Sequence, residues 1–343
     1  MKEIIEFVTK RIIYSLFILL GISILIFFIL RIIPGDPVRM MLGPNTPEEV
    51  IERYRIAMHL DEALYIQYFY WFKDLMHGDL GVSLVTKHPV LQDIIQVFPA
   101  TFELALFSFI FTVIMGIILG IVSTKYSDTW IDNFFRIITY IGVVTPKFVF
   151  AVMGMLIFAY YLNLLPTMGR LSPELTAPLK ITGILTIDAL IQGNFIVFFD
   201  AIKHLLIPSI SLGLGGMSQV ARILRTSMYI NLKKDYILFE KSFGIPDKFI
   251  MTRFLLKPSI NPAISIFGLM FATIMANAFI VEEIFNWPGF ARYGLNAMLE
   301  KDLNAISAVV LVVSIFVMVG NIIVDIVIGV IDPRVVLMPD SKK

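Results

Sequence analysis

The sequence predicts an all-α membrane protein with six transmembrane helices, and three observations carry that reading. Of 343 residues, 57% are hydrophobic and 16% charged, against about 45–50% and about 25% in water-soluble globules. Apolar runs of about 20 residues, enough to cross hydrocarbon as a helix, recur along the chain. Basic residues flank those runs unevenly, which gives them an orientation. The same composition excludes other classes. A formal net charge of +1 supplies no field for nucleic acid, and zero cysteines exclude disulfides, thiolate metal sites and a Cys nucleophile. His59, His77, His88 and His204 are too scattered to form a metal-binding pair at helical spacing.

In chain order, the spans are read at 12–30, 100–122, 134–162, 205–230, 262–281 and 306–331. The first begins after Lys10 and Arg11 and runs into Arg31 and Pro34 without a small-residue cleavage site, so 1–30 reads as a cytoplasmic amino terminus plus an uncleaved anchor. Residues 31–99 follow as an extracytoplasmic segment, with a turn at Pro34-Gly35-Asp36-Pro37 and a charged helix over 47–60. The core then occupies 100–331, with Lys147 after Pro146 marking a kink in the third span; Lys147 either faces a water-filled path or snorkels. A seventh span at 181–199 is rejected, because Asp188, Gln192, Gly193 and Asn194 interrupt its centre, and a buried Asp costs about 2.5–3.5 kcal/mol on insertion scales. It would also put the Lys-rich loop 231–257 opposite the basic amino terminus. Residues 163–203 are therefore an outer insertion, while 231–257 and the tail 332–343 are cytoplasmic. Gly213, Gly215, Gly216 and Ser218 give the fourth span a small-residue face on which another helix could approach closely, an interface with a second subunit being one use of it, or else a locally flexible helix. Asp325 reads as a polar helix contact.

The loop 231–257 is read as helix, glycine turn, helix. Asp235 can cap a helix starting at Tyr236, Gly244 suits a left-handed end, and Pro246 with Asp247 suits the start of a second helix. Ile237, Leu238, Phe239 and Phe243 on the first helix, with Phe249, Ile250, Phe254 and Leu255 on the second, require a cover. From spacing alone a cytosolic partner and the lipid surface are equally good covers.

Asp235-Tyr236-Ile237, Gly244-Ile245, Arg253 and Pro262 resemble the cytoplasmic coupling loop, the EAA motif, of binding-protein-dependent ABC transporter permeases. The whole chain resembles the first permease subunit of the dipeptide/oligopeptide/nickel family. Supporting matches are Pro34-Gly35-Asp36-Pro37, Gly78-Asp79-Leu80-Gly81 with Ser83, Pro99-Ala100-Thr101 with Glu103-Leu104-Ala105, Leu165-Pro166 with Gly169, Glu282 with Phe285, Trp287-Pro288-Gly289, and Asp332-Pro333-Arg334. Glu240 and Ser242 stand where the family has small residues, and Ala291 where it has a second glycine.

The resemblance implies a type I importer core and an ATPase-coupling loop carrying Asp235, Tyr236, Phe239, Glu240, Gly244, Ile245 and Arg253. It also implies a gate or binding-protein contact at Trp287, Pro288 and Gly289, although membrane anchoring by Trp287 explains that turn as well. The implied partners are a second homologous permease subunit, two cytosolic nucleotide-binding subunits, an extracytoplasmic substrate-binding protein and the bilayer. No cofactor is expected in this chain, since no Gly-x-x-x-x-Gly-Lys-Ser/Thr cradle occurs, and ATP and Mg would sit in the partners. A stand-alone secondary carrier is the rival reading. It lacks a deep coupling carboxylate better than Asp325, while an intramembrane hydrolase lacks a Gly-x-Ser-x-Gly elbow and a His-Glu-x-x-His pair.

Overall fold

The computed structural model describes residues 2–32, 37–43, 45–57 and 59–331. Pro34-Gly35-Asp36, Asp332-Pro333-Arg334 and the tail 332–343 therefore lie outside the described residues. The chain opens with α1, Lys2–Ile32, followed by three shorter helices, α2 (Pro37–Leu42), α3 (Glu48–Ala57) and α4 (Leu64–Met76). Next come α5 (Val90–Lys125), α6 (Trp130–Val144), α7 (Lys147–Gly154) with a π-helical extension Met155–Tyr161, α8 (Leu185–Ile191) and α9 (Phe195–Leu232). The last third holds α10 (Asp235–Ser242), α11 (Asp247–Phe249), a π-helical turn Ile250–Leu256, α12 (Lys257–Ser259), α13 (Asn261–Ala276), α14 (Ala278–Ile284), α15 (Phe290–Leu299) and α16 (Leu303–Ile331). Among the described residues the only β pairing is an isolated bridge between Val82 and Pro89.

Among the described residues four helices, Thr9–Ile32, Val90–Lys125, Phe195–Leu232 and Leu303–Ile326, are long and apolar enough to cross a membrane, or up to six spans if each of two bent pairs counts as one. One bent pair is Trp130–Val144 with Lys147–Tyr161, turned by 108°; the other is Asp247–Ser259 with Asn261–Ala276, turned by 60°. The single run expected over 134–162 is thus corrected to two segments. Thr145 and Pro146 have extended backbone, and proline disfavours helix in the residue before it. The fifth run is likewise broken, ending α13 at Ala276 before α14 restarts at Ala278. Residues 181–199 form the short α8 and the first turn of α9, which starts ten residues before the expected 205 (205 − 195). Pro99 does not start α5 but lies inside it.

The two longest helices define the architecture. α5 and α9 run parallel, as their close approaches advance together: Ser108 and Thr112 meet Gly213, Gly116 meets Val220, and Gly120 meets Leu224. A Cβ on Gly213 would sit 2.8 Å from the Ser108 carbonyl oxygen, and one on Gly116 would sit 2.7 Å from Val220 Cβ. Thr112 Oγ1 donates to the Gly213 carbonyl at 3.0 Å across this seam. Gly142 of α6 meets Ser218 on the same helix. The small-residue face of α9 does receive closely packed helices, but they are α5 and α6 of the same chain rather than a second subunit. Small residues let backbones approach until dispersion, the main attraction between apolar helices in lipid, is realised.

The bundle has a Val90 end and a Lys125 end. At the Val90 end, Val90 and Ile94 cluster with Ile26 and Leu30 of α1, Phe290 of α15 and Ala305 of α16. At the Lys125 end, Leu224, Met228, Ile237, Ile250 and Leu255 form a buried cluster with Ile117 and Ile121 against it. Asp325 pairs there with Arg11 of α1 at 3.2 Å, consistent with a polar contact between α1 and α16. Large apolar side chains around the outside, such as Phe17, Leu25, Ile118 and Ile323, stay exposed. That pattern suits lipid rather than water as the surrounding solvent.

Candidate functional site

At the Lys125 end α10 closes with a Schellman turn. Phe243 is the C-cap, Gly244 follows with φ +72°, its N–H donates to the Lys241 carbonyl at 3.0 Å, and the Ile245 N–H donates to the Glu240 carbonyl at 3.4 Å. A left-handed residue was expected there, and Gly244 adopts that conformation without a Cβ penalty. Two boundaries are corrected by one residue. Lys234 is extended and takes the N-cap position, so Asp235 is the first helical residue rather than the cap, still beside the positive helix end. Pro246 is the N-cap and Asp247 begins the next helix.

The loop's side chains divide into two sets. Ile237, Ile250 and Leu255 are buried against Leu224 and Met228, and Tyr236 Oη donates to the Phe254 carbonyl at 3.4 Å, tying the two short helices together. Leu238, Phe239, Phe243 and Phe249 are 57–69% exposed, and the Phe239 and Phe243 rings lie 4.6 Å apart. Glu240 is half-buried, whereas Arg253 and Asp235 are exposed. The arrangement is a bent lever rooted in the bundle by one face and presenting an aromatic face outward. Close by, Asp132 at the start of α6 accepts bonds from Ser123 Oγ at 2.6 Å and Arg225 Nε at 2.8 Å, and pairs with Arg225 Nη2.

At the Val90 end the turn 286–289 is built around a buried carboxylate. Glu282 accepts from Thr101 Oγ1 and, at 2.7 Å, from the Arg292 N–H. A Cβ on Gly289 would collide with that carboxylate. Trp287 is only 1% exposed and its Nε1 donates to the Ala100 carbonyl at 3.0 Å. Anchoring at a membrane surface is thus corrected: the turn folds back between α5 and α14, so the indole fills the core and its N–H finds a backbone partner. Pro288 remains exposed and Gly289 is buried.

Beside that turn lies a latch the sequence reading missed. Glu103, 1% exposed, accepts from Arg170 Nη2 at 2.5 Å, Thr186 N at 2.8 Å and Thr186 Oγ1 at 2.7 Å. The Arg170 guanidinium also sits 5.7 Å from the Trp287 ring centre, and Gly169 N donates to the Phe285 carbonyl at 2.8 Å. The segment 163–191 is thereby fastened to α5 and to the α14–α15 turn. Its signal in the sequence was faint: Glu103 is the lone acid between Asp93 and Asp128, and Arg170 the lone ionisable Asp, Glu, Lys or Arg between Lys147 and Glu174. Asp302 makes a second missed junction, accepting from Ser83 Oγ at 2.6 Å and Leu84 N at 2.7 Å and so pinning the segment before α5 to the start of α16. Among the described residues no group of three His, Asp or Glu side chains could hold a metal ion.

Comparison with known proteins decides what this bundle is. Residues 113–337 match the family model described as the binding-protein-dependent transport system inner membrane component, and residues 4–105 match the N-terminal model of the same membrane components. The chain belongs to this permease family. It is 34% identical over 92% of its length to a probable D,D-dipeptide transport system permease of Escherichia coli K12, covering 93% of that protein. It is also 34% identical to a dipeptide transport system permease of Alkalihalophilus pseudofirmus over 96% of this chain and 99% of that one. Against an oligopeptide transport system permease of Bacillus subtilis 168, identity is 30% over 96% of this chain and 98% of that one. As a permease the chain is a multi-pass membrane transport subunit and not a hydrolase; in these systems ATPase activity belongs to separate subunits.

Proposed function

We propose that this permease is half of the translocation path of an ATP-driven importer for dipeptides or oligopeptides, the other half being a second homologous permease subunit. Substrate class follows from the names of the relatives at 34% and 30% identity. In this reading the chain has six spans, 130–161 counted as one bent span and the fifth beginning with Asn261–Ala276, in a cell membrane with both termini and the loop 231–257 in the cytoplasm. The basic residues Lys10, Arg11, Lys233, Lys234 and Lys241 favour that side. Residues 31–99 and 163–203, with the turn at Pro288, face outward, where a substrate-loaded binding protein docks.

The observation that carries the reading is the lever around Gly244: one face is rooted on Leu224 and Met228, and the other holds Phe239 and Phe243 free. Two cytosolic nucleotide-binding subunits, carrying ATP and Mg, cover that free face. Asp235, Tyr236, Glu240, Ile245 and Arg253 set the lever's charge and pitch. ATP-driven closure of the partners biases a two-state bundle through differential contact with the lever. A lipid-lying loop would instead bury the same aromatic face in the headgroup region.

The chain has zero cysteines, so a single F239C variant is a clean probe. A maleimide–benzophenone reagent attached to F239C through its maleimide and photoactivated in the assembled transporter is expected to insert into the ATPase subunit, with a yield that changes on adding ATP. Labelling of F239C only by a lipid-soluble maleimide, with no crosslink, would reassign the face to the bilayer.

A further inference from the structure

A cavity of about 380 Å³ lies at the Val90 end between α1, α4 and the start of α16. Its floor includes Phe27, Leu30 and Trp71, and its charged lining includes Arg31, Asp74 and Asp79. Arg31 is one residue from the end of the apolar span Thr9–Ile32, the depth at which hydrocarbon gives way to phosphates. Its guanidinium carbon lies 5.1 Å from the Phe27 ring centre, and among the described residues it has no ion-pair partner. A cation held at that depth without an anion is costly.

The cavity's other wall is itself immersed. Ser23 Oγ and Tyr68 Oη of α4 hydrogen-bond at 2.9 Å, and Ser23 is nine residues (32 − 23) inside the end of the span, or about 13 Å at a helical rise of about 1.5 Å. Tyr68 and Trp71 pack on Phe27, while Tyr65, Phe69 and Met76 on another face of α4 are exposed. A helix so rich in aromatic residues, set against the outer third of a span, matches an interfacial helix lying in the leaflet.

We propose that this cavity holds the head group of a zwitterionic aminophospholipid, Arg31 binding the phosphate and Asp74 with Asp79 receiving the ammonium. Its volume lies within the range of about 300–1,000 Å³ usual for small-ligand sites. Both signs of charge line one cavity at lipid phosphate depth, which favours a lipid over a soluble anion. The acyl chains would run along the exposed apolar faces of α1 and α4.

Native mass spectrometry of the delipidated full chain in mild detergent, titrated with phosphatidylethanolamine or phosphatidylglycerol, tests the assignment. Wild type is expected to retain one phosphatidylethanolamine in preference to phosphatidylglycerol. R31Q is expected to lower retention of both lipids about tenfold or more, the loss of a charge-assisted contact, whereas R31K retains part of it. D74N, on an exposed position of α4, is expected to remove the preference for the amine lipid without abolishing binding, and it decides the question if R31Q does not fold. Equal retention by R31Q and wild type at matched melting temperature overturns the proposal. So does displacement of the lipid by millimolar inorganic phosphate, which would make this a soluble-anion site, or by a dipeptide, which would make it a peptide site.

Discussion

Gly244 and Gly289 are both required, for different physical reasons, and substitution separates them. Nothing lies within 4 Å of a Cβ built on Gly244, so only its φ of +72° resists a side chain. A β-branched residue there costs about 1–3 kcal/mol of backbone strain, relieved by re-aiming α10. G244V is expected to insert and assemble normally while ATP turnover runs without uptake, and G244N, which tolerates the left-handed region, should transport nearly as wild type; normal uptake by G244V would remove the turn from the coupling mechanism. At Gly289 the obstacle is the Glu282 carboxylate. G289A should therefore lower the melting temperature of the purified chain rather than uncouple it. Asp188 gives a pH dependence. Burial pushes its carboxyl up, but the Thr182 hydroxyl and the N–H groups of Thr182, Gly183 and Ile181 hold it below its ordinary value. A depressed folded value means that its stabilisation is fully present above the ordinary carboxylate pKa of about 4 and disappears only as acid passes the lowered one. Protease protection of the 163–184 segment should accordingly persist at mildly acidic pH in wild type and weaken at all pH values in D188N.

Among the elements, the α5–α9 seam is where packing decides most. G213L would drive a side chain into the Ser108 carbonyl and the Phe111 ring, and overpacking of this kind costs about 1–3 kcal/mol. Lowered thermal stability in detergent is expected, whereas an unchanged melting point would show that the two helices separate freely. Long apolar stretches made α1, α5, α9 and α16 legible in the sequence, because a bilayer allows little besides a helix for such runs. Pro146 likewise announced the break between α6 and α7, though not its angle. The apolar run marked only part of α5, because ten residues outside it, Val90 to Pro99, are helical with Val90 and Ile94 packed on α1, α15 and α16. The small residues of α9 announced a close approach but not which helix makes it. Least legible were the Glu103–Arg170 and Asp302–Ser83 junctions, 67 and 219 residues apart, whose pairing exists only once the bundle has formed.

For the whole molecule, sidedness is the decisive property. With no native cysteine, F239C should react with an impermeant maleimide only from the cytoplasm, and L179C, in the exposed segment before α8, only from outside; the reverse pattern would invert the assignment. The Glu103–Arg170 latch joins the segment 163–191 to the helices. R170M leaves Glu103 buried without its cation, a change that costs about 3–5 kcal/mol where such pairs are fully enclosed. Loss of folded permease from the membrane, partly rescued by E103Q in the same chain, is the expected result. α5 holds that latch through Glu103 and the buried Glu282 through Thr101 in its first half, and passes beneath the lever through Gly120 and Ile121 near its other end. A single continuous helix therefore connects the two sites. Genetic suppressors of a lesion at Gly244 should accordingly arise not only next to it but also in the distant half of this helix, among the residues around Thr101.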